Sequence, residues 1–342
     1  MSRQLRWGIL GTGNIARQFA AGMRTARRGV LSAVGSRQIA SAQSFSQAYQ
    51  IPAAVGSYEE LLARPDVDAI YLSLPNSMHH EWTIAALRAG KHVLCEKPFA
   101  LDVAESQEMF DEARKAGRVL MEAFMYRCHP LTHGYTQAIA AGAIGQVKLI
   151  RASFSYRTTR IAGNVRFSRE LGGGALMDVG CYCINFTRMI AGAEPTRVHA
   201  VATMHESGVD EQVSAVMEFS GGLSATVTCG MGVQADNTTS VCGTDGYVEI
   251  PVPWKPPVND AIWVVGRAIP PRQDVGANAA PAAPPRDVRT VSAGMELYAM
   301  EADDFASSIL DSMPTRVTRE DTLGNMRVLD EIRRQIGLSF AR

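Results

Sequence analysis

No acidic residue occurs before Glu59. The same stretch carries Arg3, Arg6, Arg17, Arg24, Arg27, Arg28 and Arg37, so its field repels no phosphate. Over all 342 residues the formal net charge is zero, which argues against nucleic-acid binding through bulk charge. No apolar run is long and uncharged enough to span a bilayer, and no apolar signal region precedes the first strand; a cytoplasmic protein without membrane contact is expected. Six cysteines show neither CxxC spacing nor a small secreted framework, so reduced thiols are the simplest reading. Cys181 and Cys183 would point to nearly opposite sides of a helix, and His129 and His133 lack the acidic partner of an HExxH site. No metal site is therefore expected, and no internal repeat is evident.

The chain does have a strand–turn–helix start. Leu5–Leu10 is a short apolar strand, followed at once by Gly11-Thr12-Gly13-Asn14-Ile15-Ala16 and a helix to about Gly22. In this GxGxxA pattern Gly11 permits a tight turn, Gly13 lets a diphosphate approach the backbone, and Ala16 lets the helix pack close to the strand. The next strand, Val30 to Gly35, ends in Ser36-Arg37, where an NAD-binding protein would carry an acid for the ribose hydroxyls. A guanidinium after a small hydroxyl suits a 2′-phosphate, so NADP is preferred over NAD.

Strands and helices then alternate. Val67 to Leu74 is a strand, His79 to Ala89 a helix, His92 to Glu96 a strand, Asp102 with Glu105 caps a helix ending near Gly117, and Val119 to Ala123 is a further strand. This rhythm predicts a doubly wound parallel sheet over residues 1–123. Glu96-Lys97-Pro98 closes a strand at the sheet's carboxyl edge, where ligands bind in such folds. Lys97 there either polarises a substrate oxygen or ends the strand as an ion pair. Leu74, Pro75, Asn76 and His79 sit at the same edge and are expected to line the nicotinamide end of a dinucleotide, whereas His80 reads as an ordinary helix-start residue.

Residues 124–342 change character. Gln146 to Arg157 alternates as a long strand, and an arginine-rich connection leads to Gly172-Gly173-Gly174 and a helix through Ile190. Asp178 and Tyr182, four apart, share one helix face, either as a proton-handling pair or as a first-turn dipole partner and a core aromatic. Strands are predicted over 196–205, 210–219, 223–231, 238–242 and 247–252, followed by two helices, 295–310 and 319–336. Such consecutive antiparallel strands give an open sheet with one face needing cover, a natural surface for a homo-oligomer. Residues 251–290 hold nine of the sixteen prolines and read as a long irregular excursion, with an Ala/Pro run at 279–285.

Taken together, GTGNIA, Ser36-Arg37, LCEKPFAL and GGGALMDVGCY closely resemble the glucose-fructose oxidoreductase / inositol dehydrogenase / MocA family over nearly the whole chain. The resemblance implies a Rossmann domain, then an α+β domain with an open, mostly antiparallel sheet used in homodimers or homotetramers. It implies that the Lys97 ammonium lies by the nicotinamide and the reacting oxygen, and that Asp178 contacts substrate or lysine. Tyr182 stands where many members have histidine, and a tyrosine there resembles the family's NADP-linked D-xylose dehydrogenases and dimeric dihydrodiol dehydrogenases. The expected activity is NADP-dependent hydride transfer to or from a carbon of a sugar or polyol. Tyr182 would carry the proton, Lys97 would ease its phenolate, and Phe154, Arg160 and Asn164 would line the sugar pocket. A nucleotide-retaining glycoside hydrolase and a silent NADP sensor are the alternatives.

Overall fold

The computed structural model describes residues 3–267 and 285–340. The first half alternates as its sequence pattern demands. Strand β1 (Leu5–Leu10) leads into helix α1 (Asn14–Gly22), β2 (Gly29–Gly35) into α2 (Ile39–Tyr49), and the short β3 (Ala53–Val55) into α3 (Tyr58–Leu62). Then follow β4 (Ala69–Leu72), α4 (His79–Arg88), β5 (His92–Glu96), α5 (Val103–Ala116) and β6 (Leu120–Ala123). The strands pair in parallel in the order β3-β2-β1-β4-β5-β6, the doubly wound arrangement that reverses direction between β1 and β4. β4 is buried at every residue, because helices cover both faces of the sheet. The predicted cap of α5 forms: the Asp102 carboxylate accepts from Glu105 N at 2.9 Å, and Glu105 reaches back to Leu101 N.

After α6 (Pro130–Ala140) the chain builds the second sheet from β7 (Val147–Ser155) onward. A π-helical turn at Leu176–Gly180 runs into α7 (Cys181–Ala191). The remaining strands are β8 (Arg197–Met204), β9 (Asp210–Glu218), β10 (Ser224–Gly230), β11 (Thr239–Gly243), β12 (Gly246–Ile250), β13 (Ala261–Arg267) and β14 (Arg286–Val291). They form an eight-stranded sheet in the order β14-β13-β12-β11-β7-β10-β9-β8, antiparallel except where β10 lies parallel to β7. The reading of 251–290 as wholly irregular is corrected by β13 and β14. Trp263, Val264 and Val265 are buried there, and flanking prolines hid the strand pattern. Of the Ala/Pro run, all but Pro285 lies outside the described residues.

Helices α8 (Leu297–Leu310) and α9 (Arg319–Gln335) finish the chain and tie the two sheets together. Trp7 of β1 packs against Phe305 of α8 at 5.4 Å between ring centres, and Asp303 accepts from the backbone N–H groups of Arg27 and Arg28. α9 bonds through Asp330 to Val103 N at 3.0 Å, and its Gln335 side chain accepts from Ala200 N of β8. Carboxyl ends of the parallel strands face the end of β7 and the start of α7 across a cleft. No described helix is long and apolar enough to cross a membrane.

Candidate active site

The cleft holds about 1120 Å³ and is lined from both sheets. On its first side, β1 ends in Gly11, whose φ of 106° only glycine adopts without strain. Gly13 caps α1, and a Cβ built on it would meet no atom within 4 Å, so it borders open cleft. No side chain caps α1 and no acid stands in its first turn. Its free amide groups and positive dipole end therefore face the void beside Thr12, Asn14 and Ile15. These residues fit the diphosphate of a dinucleotide. Ser36, Arg37, Gln38 and Ser41 line the far end, with no carboxylate among them. Tyr58 closes that end; burial pushes its phenol up, partly offset by the Arg37 guanidinium.

At the near end β5 delivers Glu96 and Lys97. Glu96 is buried and turned back, accepting from the Tyr71 hydroxyl and, at 3.2 Å, from Lys97 N; burial pushes its carboxyl up. Lys97 points forward. Its Nζ donates to the Asp178 main-chain oxygen at 2.8 Å and lies 3.6 Å from Asp178 Oδ1. Burial is the largest influence and works against the ammonium, but Asp178 and weaker neighbours together outweigh it and leave Lys97 above the ordinary lysine value. The same balance holds for Asp178. Burial would raise it, yet Lys97, Arg166 and Tyr156 together hold it below the usual carboxylate range. Its Oδ2 accepts from Tyr156 Oη at 2.5 Å and from Arg166 Nε at 2.8 Å.

Tyr182 lines the cleft but is turned differently from expectation. Lys97 Nζ stands 5.0 Å above its ring centre, while its hydroxyl donates to Met125 Sδ at 3.3 Å. The ammonium thus faces the ring and not the oxygen. Burial, then Glu96, pushes the phenol well above its ordinary value, so Tyr182 is held as a neutral acid; the expected easing of its phenolate by Lys97 is corrected accordingly. Around it, Phe154 stacks on Trp254 at 5.6 Å, and Tyr182 meets both edge-on.

Leu74, Pro75 and Asn76 line the cleft, and Asn76 Nδ2 ties the loop to Gly172 O at 2.8 Å. His79 does not line it. Its fully buried ring bridges Leu74 O and Pro98 O, each at 2.9 Å, so it pins the two cleft loops from behind. Arg160 and Asn164 are also displaced. Asn164 donates to Arg160 O and caps the turn at Arg166, which sends both outward and Val165 and Arg166 inward. His129 caps α6 through Leu131 N and contacts Pro257 O. Among the described residues no three His, Cys, Asp or Glu side chains cluster as metal ligands.

Sequence reasoning missed Tyr156, Arg166, Gln18 and Lys255, all of which line the cleft. Tyr156, just past the end of β7, was within reach, since it follows Phe154 by two in the stretch predicted as a strand, 146–157, and so shares its face. Arg166 and Lys255 stand on irregular connections with no periodic signal.

A glycine turn at the head of a helix, at the reversal point of a doubly wound sheet and facing a buried lysine–aspartate pair, defines a dinucleotide-dependent oxidoreductase. Comparison with known proteins agrees. Residues 5–124 match the model described as an oxidoreductase family with an NAD-binding Rossmann fold, and residues 135–249 match the GFO/IDH/MocA C-terminal domain. The trans-1,2-dihydrobenzene-1,2-diol dehydrogenase of Xenopus laevis is 40% identical over 255 residues, covering 73% of this chain and 77% of its own. Among solved structures, the 3-ketoreductase KijD10 of Actinomadura kijaniata, in complex with NADP and TDP-benzene, superposes with a TM-score of 0.85 at 29% identity over 98% of both chains. The aldose-aldose oxidoreductase of Caulobacter crescentus, complexed with glycerol, gives 0.85 at 27% identity over 97% of both. The chain belongs to the GFO/IDH/MocA family of oxidoreductases.

Proposed function

We propose that this protein is an NADP-linked oxidoreductase that interconverts a hydroxyl and a carbonyl on a sugar or polyol. The observation that carries the reading is the meeting, in one cleft, of the glycine turn with Lys97, Asp178 and Tyr182. A bound nicotinamide supplies the site that takes or gives the hydride. The chain's residues handle the proton and the charge. Lys97, kept cationic by Asp178, stabilises the negative charge that develops on the reacting oxygen. Tyr182, a neutral acid whose hydroxyl donates to the Met125 thioether, is the proton carrier. Asp178 holds Lys97 in place and is itself held by Tyr156 and Arg166. Preference for NADP is supported by Ser36, Arg37 and Ser41 at the far end of the cleft, and by the NADP-bound ketoreductase.

A second substrate reading is an alicyclic trans-diol, as the names of the dihydrodiol dehydrogenases suggest. Phe154, which lines the cleft and is backed by the stacked Trp254 ring, favours it, since it offers an apolar surface to a ring. The uncovered face of the second sheet, where Val201 is 71% exposed, supports a homo-oligomer built through that sheet.

The test is absorbance at the reduced-nicotinamide band with aldoses, polyols, ketosugars and cyclic diols, in both directions and with both nucleotides. Turnover with NADP is expected. Lys97→Ala should lower kcat about 10²–10³-fold, and Tyr182→Phe about 10²–10⁴-fold, with nucleotide affinity retained. Silence across the panel with NADP still bound would overturn the catalytic reading in favour of a sensor.

A further inference from the structure

Lys255 lines the cleft, and the proposed chemistry gives it no role. It stands in the β12–β13 connection, on the opposite side of the cleft from the glycine turn. Its mount is stiff: Trp254 is 3% exposed and bonds through Nε1 to Ser153 O at 2.8 Å, while Pro256 and Pro257 follow directly. From this mount Nζ crosses the cleft to Gln18 Oε1 of α1, at 2.9 Å. Gln18 lies four residues after Asn14, and helical side chains lean toward the amino end, so it covers the first turn of α1. Tyr298 of α8 donates to the same oxygen at 3.2 Å and fixes it.

The ammonium therefore hangs over the amino end of α1 with only a neutral amide as partner. Among the described residues no carboxylate lies within ion-pair distance of it; Asp178 is taken by Lys97, Arg166 and Tyr156, and Glu96 by Tyr71. Burial, and next the Lys97 ammonium, pull Lys255 below the ordinary lysine value, whereas an anion would relieve both. Gly11, Gly13 and the free amides of α1 face the same space from the other side.

We propose that Lys255 is a nucleotide-positioning residue whose ammonium binds the diphosphate bridge of the dinucleotide from the side of the cleft opposite the glycine turn. The second sheet thereby contributes a clamp to a ligand seated on the first. This inference rests on the dinucleotide reading, so NADPH binding to the unaltered protein is measured first; its absence would sink that reading rather than this inference.

The experiment is fluorescence titration of Lys255→Gln and Lys255→Arg with NADPH and with 2′-phospho-ADP-ribose, which has the diphosphate but no nicotinamide. Loss of one charge-assisted contact predicts about tenfold weaker binding of both ligands to Lys255→Gln. Lys255→Arg should recover most of it. The affinity of Lys255→Gln should also fall less steeply with added salt than that of the unaltered protein. Unchanged binding of both ligands would overturn the proposal. So would weakening for NADPH alone, which would place Lys255 at the nicotinamide. A merely structural lysine would lower the melting temperature of the nucleotide-free protein and leave the salt dependence as it was.

Discussion

Asp178→Asn isolates the charge on which the site depends. The asparagine keeps the main-chain oxygen that holds Lys97 Nζ at 2.8 Å, so the lysine retains its anchor and loses only the carboxylate 3.6 Å away. At that distance and an effective dielectric constant of about 20, the attraction is roughly 4–5 kcal/mol. With it gone, burial dominates and the pKa of Lys97 moves down. Because the ammonium is the active form, the alkaline limb of kcat/KM should move to lower pH, and kcat near neutrality should fall about a hundredfold. Stability changes with a definite sign. The Asp178 pKa is depressed in the folded protein, so its contribution is present above the ordinary carboxylate value and is lost as pH falls through the depressed one. The Lys97 pKa is raised, so its contribution is present below the ordinary lysine value and is lost as pH rises through the raised one. Both should vanish in the variant, at a cost of about 3 kcal/mol at neutral pH, since a buried cation loses its partner. Rate profiles at the reduced-nicotinamide band and melting curves against pH make the check. An unmoved alkaline limb would refute the claim that Asp178 sustains the charge of Lys97.

Glu122 is fully buried at the end of β6; its Oε1 accepts from Phe99 N, and burial pushes its pKa to about 8. A raised carboxyl favours folding least when ionised, so stability should decline by about 5 kcal/mol as pH rises from the ordinary value through 8, and Glu122→Gln should raise the melting temperature at pH 9 while changing little at pH 5. Thermal denaturation at the two pH values decides this, and equal effects at both would refute it. Gly13→Ala adds a methyl group where no protein atom lies within 4 Å, so the nucleotide-free protein should melt unchanged while NADPH binding weakens at least tenfold. Undiminished binding in a fluorescence titration would mean that the diphosphate does not approach Gly13.

What the sequence determined by itself was local. The glycine turn between β1 and α1, the strand stop at Lys97-Pro98 and the cap at Asp102 depend on residues within a few positions of each other, and each appears where its pattern puts it. The open second sheet was equally legible through its alternation, from β7 to β12. Between them, these features gave the order of layers and the edge at which a ligand would sit.

The partners of the site were decided only by tertiary packing. His79 has the spacing of a cleft residue, but two carbonyl oxygens behind the cleft capture its ring. Arg160 and Arg166 lie on one arginine-rich connection, and only the turn capped by Asn164 selects which of them meets Asp178. Lys255 and Gln18 are 237 positions apart, joined because the β12–β13 connection packs across the cleft from α1. Motif and period report the backbone's local needs, whereas the protonation of Lys97, Asp178 and Tyr182 depends on charges and burial supplied by distant segments. The local pattern therefore located the site, and the packing of the two sheets set its charges.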